Sequence, residues 1–306
     1  MSRFIVGRAL QSLLSLFVVS LVVFYAARLT GDPTVLMLSE MATKEEAAQL
    51  RARLGLDKPI TTQYALFLKR AAQGDLGEST RYHRPVTDVL TARFPASLQL
   101  GSVAIVISIL IALPIGVYSA VHRGTALDVA GRLFAVLGQS LPLFWLGLIL
   151  ILVFAVWFGW LPAAGRGGPA NFILPAVTMG WATTPAIMRL TRSAMLEVLE
   201  SEYVKLARIK GLPEWKVVWK HALKNALLPV ITFSVLLFAE MIAGAIVTET
   251  VFAWPGVGQL LISSVNTRDF PMVQATVLLL ASLFVLGNVG VDVLYAWLNP
   301  KIRYAR

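Results

Sequence analysis

Six apolar runs, each roughly 20 residues or more and poor in charge, occupy about 7–27, 98–121, 133–158, 172–191, 229–252 and 273–296 of this chain. A helix of that length crosses about 30 Å of hydrocarbon. Inside hydrocarbon the backbone has no water to bond, so a continuous helix is the form open to such runs. The chain is therefore expected to be all-α and integral to a membrane. Hydrophobic residues make up 57% of the 306 residues and charged ones 14%, more apolar surface than a single soluble core of this length takes up. Pro175 and Pro185 interrupt the fourth run and Pro229 opens the fifth, breaks that spanning helices tolerate where neighbours satisfy the freed groups. Arg3 and Arg8 precede the first run as in a signal peptide. That run continues to Ala27 without a small-x-small cleavage site, and it reads as a retained anchor.

The net charge of +10 would suggest nucleic acid in a soluble protein, but here its distribution follows the spans. Fifteen Lys and Arg fall in 1–8, 122–132, 189–225 and 299–306, against one each in 159–171 (Arg166) and 253–271 (Arg268). By the positive-inside bias both termini and the 189–225 segment are cytoplasmic. The other ten lie in 28–97 beside eight acidic residues, a stretch long enough to translocate despite its charge. Nucleic acid is not needed to explain the excess. The absence of cysteine removes disulfides and thiolate metal sites, and His83, His122 and His221 are too scattered for a metal centre. No metal is expected.

Residues 29–93 are expected to form a small extracytoplasmic helical subdomain. Thr43 with Glu46 makes a capping box, Ala47, Leu50 and Leu54 share a helix face, and Gly55 supplies the stop. A second helix is expected from about Thr62 to Ala72, closed by Gly74. Such a unit serves as a cap over the external mouth, as a landing surface for a soluble binding protein, or as both.

Between the fourth and fifth runs lies a polar stretch, SEYVKLARIKGLPEWKVVWKHALKNALLP, from Ser201 to Pro229. Tyr203, Leu206, Ala207 and Lys210 fall at helical spacing, and Gly211 with Leu212-Pro213 ends the helix abruptly. With GDPTVLMLSEMATKEEAAQLRARLGLDKPITTQYALFL from Gly31, QGDLGES from Gln73, RPVTDVLTARFPASLQL from Arg84, HALKNALLP from His221, ETVFAWPGVGQLL from Glu249 and RDFP from Arg268, the whole chain resembles the first permease subunit of the dipeptide, oligopeptide and nickel ABC importers. The general importer pattern has Glu-Ala-Ala, Gly and then Leu-Pro. Here Lys205-Leu206-Ala207 stands at the Glu-Ala-Ala position, and the interval from Gly211 to Pro229 is longer, as in the peptide-importer branch.

The resemblance implies six transmembrane helices: an anchor in 1–28, then a type I importer core of five helices over 94–298, with a coupling loop at about 192–226 and a cytoplasmic tail at 299–306. It also implies a bacterial inner-membrane location and half of a pathway for di- or oligopeptides. The implied partners are a homologous second permease, two ATP-binding subunits carrying ATP and Mg2+, and a periplasmic or lipid-anchored solute-binding protein. Nickel chelates, glutathione and oligosaccharides are alternative solutes. Glu202, Tyr203, Lys205, Leu206, Ala207, Arg208, Lys210, Gly211, Leu212 and Pro213 are then the ATPase-coupling residues. The plain alternative is an interfacial amphipathic helix without a protein partner. No G-x-x-x-x-G-K-[ST] occurs, so hydrolysis is expected on another polypeptide and no cofactor or catalytic residue on this one.

Carboxylates inside spans are costly, about 2.5–3.5 kcal/mol on insertion scales, and usually face a cavity or a partner. Glu240 stands among Ala239, Ala243, Gly244 and Ala245. It either faces the pathway, where it would meet a cation such as a peptide N-terminus, or is protonated and bonded to a neighbouring helix. Asp292 with Asn288 and Tyr295 lines one face of the last run, and interhelical hydrogen bonding is its simpler role. Glu249 precedes Trp254, Pro255, Gly256 and Gly258, whose turn-formers predict a tight bend serving as gate or scaffold at the outer mouth. Arg189 and Arg192 are expected to snorkel to the cytoplasmic interface. Among rivals, a proton-coupled secondary transporter lacks the internal repeat common in that class. An intramembrane protease or transferase lacks a nucleophile motif and any histidine in a span.

Overall fold

A computed structural model of the chain describes residues 2–29 and 43–298. The side chains of Ala47, Leu50, Leu54, Asp292 and Tyr295, the opening of the Gly31 motif and the 299–306 tail lie outside the described residues. Among the described residues no strand occurs, and extended pairing is limited to the bridge between Glu78 and Pro85. The helices are α1 Ser2–Leu29, α2 Lys44–Leu54, α3 Ile60–Ala72, α4 Val86–Val121, α5 Ala126–Ser140, α6 Leu143–Leu150, α7 Ala170–Leu199, α8 Glu202–Ile209, α9 Leu223–Ala243, α10 Ile246–Val251, α11 Val257–Asn266 and α12 Phe270–Leu298. Wider π-helical turns at Ile151–Trp157 and Val217–Ala222 continue α6 and lead into α9.

Two compact units divide the chain. The first comprises Met1–Ser97 and Pro255–Val289, the second Leu98–Trp254 and Gly290–Arg306. In the first unit the Thr43 hydroxyl accepts from the Glu46 amide, while the Glu46 carboxylate accepts from Thr43 N. Gly55 closes α2 at φ +69°, left-handed backbone that glycine takes without steric cost. The amphipathic α3 lies against α1. Tyr64 Oη sits 2.8 Å from Ser20 Oγ, and the rings of Phe17, Phe24, Tyr64 and Phe67 form one cluster. The QGDLGES and RDFP motifs meet here. Buried Asp269 accepts from the Ser79 hydroxyl and from the amides of Thr80, Arg81 and Met272.

In the second unit α7 packs against α4, α5 and α9 through small residues, as expected where helices associate without water to drive them together. A β-carbon on Gly116 would sit 2.8 Å from the Met188 carbonyl oxygen, and one on Gly180 would sit 2.9 Å from that of Ala104. Ser108 Oγ lies 2.8 Å from both the Gly180 carbonyl and Thr183 Oγ1. Ala112, Ala135, Ile187, Met188, Val230 and Leu237 fill the space between.

The expected spans are redrawn in three places. Among the described residues, four helical stretches are long and apolar enough to cross a membrane: Leu10–Leu29, Val86–Val121, Glu214–Ala243 and Phe270–Gly290. The single run expected at 133–158 is instead two helices, α5 and the α6 helix through Trp157, meeting at 101°. Leu141 is extended because proline follows it, and Pro142 has no N–H to continue the ladder. The run at 172–191 is inside α7, which is about 45 Å long but carries Thr178, Thr183, Thr184, Arg189, Thr191 and Arg192. The run at 229–252 breaks at Gly244, and Pro229 lies inside α9 rather than opening it.

The close α4–α7 crossing predicts that Gly116→Val costs about 1–3 kcal/mol, as overpacking does. Gly7→Ala, where nothing lies within 4 Å of the added carbon, should leave stability unchanged. Thermal unfolding of both variants in detergent compares them, and equal midpoints would remove the close crossing.

Candidate functional site

The polar stretch folds as its spacing predicts. Ser201 is extended (φ −70°, ψ 150°) and begins α8, and Gly211 ends the segment at φ +74°. The Gly211 amide reaches the Arg208 carbonyl and the Leu212 amide reaches that of Ala207, so the last carbonyls are satisfied as the chain reverses toward Pro213. Glu202 and Lys205 pair one turn apart at 2.8 Å. Arg208 forks onto Glu214, with Nη2 donating to Oε1 at 2.7 Å and Nε to Oε2 at 3.2 Å. That carboxylate holds the guanidinium above its usual pKa, and the fork braces α8 to the residue after Pro213. Both partners are about half exposed, so the pair contributes less than about 1 kcal/mol. Its value is geometric.

The two faces of α8 have different work. Val204 and Ala207 are buried with Val117 and Ala120 of α4, Ala194 and Met195 of α7, and Val217, Val218, Ala222, Leu223 and Ala226. Burying a valine outside the hydrocarbon contributes about 1.5–3 kcal/mol, enough to keep the short helix seated. Ala207 thus faces the core of its own chain, where its small size lets α8 approach the ends of α4 and α7. The outer face carries Tyr203, Leu206, Ile209 and Lys210, with Ile209 81% exposed. Tyr203 is held from behind by Asn225, whose Nδ2 donates to its Oη at 2.9 Å. A rigid ridge with apolar tips and a cationic margin is what a groove on another protein can grip.

Arg192 does not snorkel. Its Nε donates to Asp128 Oδ1 at 2.8 Å and its Nη2 to Oδ2 at 3.0 Å, because Asp128 is only 1% exposed and a buried carboxylate requires a counter-charge. The Ser119 hydroxyl at 2.6 Å and the Gly124 amide at 3.1 Å complete its shell. Arg189 is exposed and donates to Gln139 Oε1. Asp128 went unnoticed in the sequence because an Asp in the first turn of a helix already has an ordinary explanation in the helix dipole.

The pathway candidates separate. Glu240 and Gly244 lie on an exposed side of α9, next to the break where the Gly244 amide reaches the Glu240 carbonyl at 2.8 Å. Glu249 and Trp254 are fully buried, Trp254 edge-on to Phe172 at 4.6 Å, and the Glu249 carbonyl accepts from the Trp254 amide. Pro255 is half-buried, and Gly256 and Gly258 are buried in the first unit, where the Val257 amide donates to Ser97 Oγ. Asn288 is half-buried there, and the Asp292 side chain lies outside the described residues. A cavity of about 450 Å3 and a more apolar one of about 630 Å3 lie in the first unit, and none of the candidates whose side chains are described lines either.

The family profile described as binding-protein-dependent transport system inner membrane component matches residues 112–304. Its N-terminal counterpart matches residues 1–101. The chain is 41% identical over 305 residues to the glutathione transport system permease protein GsiC of Escherichia coli (strain K12), covering 99% of this chain and 100% of that protein. It is 40% identical over the same extent to GsiC of Salmonella choleraesuis (strain SC-B67). Among solved structures, an inward-facing form of the MetNI methionine ABC transporter aligns with TM-score 0.55 and 20% identity over 69% of this chain and 96% of that one. An amino acid ABC transporter crystallised with histidines aligns with TM-score 0.51 and 14% identity over 70% and 94%. At these identities the structures show a common fold and nothing finer.

The two faces of α8 give opposite expectations. Val204→Ala should lower thermal stability by on the order of 1–2 kcal/mol. Ile209→Asp should leave stability within about 0.5 kcal/mol and reduce the ATPase recovered with the affinity-purified permease. The same Ile209 variant purifying with a full complement of ATPase would remove the outer face from the contact.

Proposed function

The chain belongs to the family of binding-protein-dependent transport system inner membrane components and is a permease subunit of an ABC importer, and on that premise we propose that its solutes are small peptides, glutathione among them. A permease of this kind works with an ATPase and a solute-binding protein. The observation that carries the solute class is 41% identity over 99% of this chain and 100% of a glutathione permease. Glutathione is itself a tripeptide, so it belongs with the peptide solutes.

In the proposed assembly this chain pairs with a homologous, non-identical permease, and each carries half of the pathway. Two ATP-binding subunits, holding ATP and Mg2+, dock on the outer face of α8 and its counterpart. A periplasmic or lipid-anchored binding protein delivers the solute from the other side. Six spans result if the bent α5–α6 pair and the threonine-rich α7 each cross the bilayer, with both termini cytoplasmic. The polar content of α7 supports this reading, because its buried threonines bond carbonyls one turn back on α7 itself and so need no water.

ATP binding draws the two nucleotide-binding subunits together. The outer ridge of α8 follows them, and its inner face passes the displacement to the cytoplasmic ends of α4 and α7. The helices then exchange inward- and outward-facing arrangements around a midplane site. The exposure of Glu240 on α9 within a span supports a role for it at that site, where its carboxylate would meet the solute's ammonium group. Glu249, Trp254 and the Pro255-Gly256 turn serve as outer scaffold.

Two measurements test this. Receptor-stimulated ATP hydrolysis by the complete complex in nanodiscs should be lost in Gly211→Asp, whose backbone needs φ +74°, with the permease still folded. Transport driven by a proton gradient without any ATPase would overturn the importer mechanism. Uptake of labelled glutathione by cells carrying the transport system should fall about tenfold or more in Glu240→Gln, the loss expected for about 1.4 kcal/mol of binding. Unchanged uptake would take Glu240 out of the pathway, and absence of uptake in wild type would exclude glutathione.

A further inference from the structure

The Asp128 clasp is more than a neutralised charge. Its partners come from three separate stretches: Ser119 near the end of α4, Gly124 in the turn that follows, and Arg192 in α7. Arg132, one turn along α5, adds a second cation at 3.7 Å from Oδ1. A two-pronged guanidinium–carboxylate contact fixes angle and register together, as an apolar contact does not.

Its position matters as much as its strength. Ser119 lies between Val117 and Ala120, and Arg192 lies just before Ala194 and Met195, and these four apolar residues belong to the seat of Val204 and Ala207. The helix that docks outward therefore rests on two helix ends that Asp128 ties together. Asp128 also opens α5, which runs to the 101° bend before α6.

We infer that Asp128 is a positioning residue for coupling: through Ser119 and Arg192 it makes the ends of α4 and α7 and the start of α5 move as one body when α8 is displaced. This rests on α8 being the ATPase-coupling helix. A displacement of α8 reaches α5, and with it the bent span, only while the clasp is closed. Without it the seat deforms locally, and ATP is consumed without receptor control.

Removing Asp128 alone takes the counter-charge from a half-buried guanidinium and invites misfolding, so the test uses two gentler variants. The neutral pair Asp128→Asn with Arg192→Gln removes both charges, and Ser119→Ala opens one side of the clasp with the ion pair intact. The complete complex is reconstituted in nanodiscs. Its ATP hydrolysis is compared with and without the cognate binding protein, purified with its natural solute, while thermal midpoint and bound ATPase are recorded. The neutral pair is expected to keep its midpoint and its ATPase subunits while the stimulation ratio falls about fivefold or more, the scale of an ordinary coupling energy. Ser119→Ala is expected to fall between it and wild type. A folded neutral pair with wild-type stimulation overturns the inference. Should that pair fail to assemble, unaltered stimulation in Ser119→Ala overturns it as well. Gly211→Asp, measured in parallel, separates the two readings. Retained stimulation there removes α8 from coupling, whereas its loss beside normal clasp variants removes only the clasp.

Discussion

A peptide group inside hydrocarbon has no water to bond, and each one left unpaired costs several kcal/mol. That constraint shapes everything this chain does between its polar segments. It makes helices of the apolar runs, and it makes buried hydroxyls find partners within the protein. Buried threonines on α7 return their hydroxyls to carbonyls one turn back, and Ser108 lies within hydrogen-bonding distance of the Gly180 carbonyl. Because lipid tails are as apolar as the side chains, burial alone does not hold these helices together. Close approach at Gly116 and Gly180 does.

Outside the hydrocarbon the rules change, and α8 uses the change. Water drives Val204 and Ala207 against the ends of α4 and α7, while the same helix keeps an apolar ridge and its cations outward. One short helix is thus tied to its own chain on one side and available to another protein on the other. Force applied to the ridge has a direct physical route into the transmembrane helices. The Asp128–Arg192 contact joins the start of α5 to α7 beside that seat.

Much of this was legible from residue pattern. The Thr43–Glu46 box, the Gly55 and Gly211 stops and the helical spacing from Tyr203 to Lys210 are local devices, and local geometry realises them. The places where reading failed share a cause. The bend at Pro142 falls within a stretch read as one apolar span, and Pro229, a stronger warning on paper, sits inside a continuous helix. Proline removes one donor either way; whether the chain bends depends on what neighbouring helices press against it. Arg192 was read as a snorkelling cation because its partner is 64 positions away and no local pattern announces it.

Taken alone, the sequence determined the membrane class, the family and the existence of a short amphipathic helix ended at Gly211. Those properties follow from composition, order and short-range spacing, which a linear chain carries openly. Only the tertiary structure decided which face of α8 is buried, that Asp128 and Arg192 close on each other, that Asp269 gathers the Ser79 motif, and that Glu249 is buried while Glu240 is exposed. These depend on which helices approach closely enough to exclude water and lipid from a given side chain, a choice made among contacts distant in sequence.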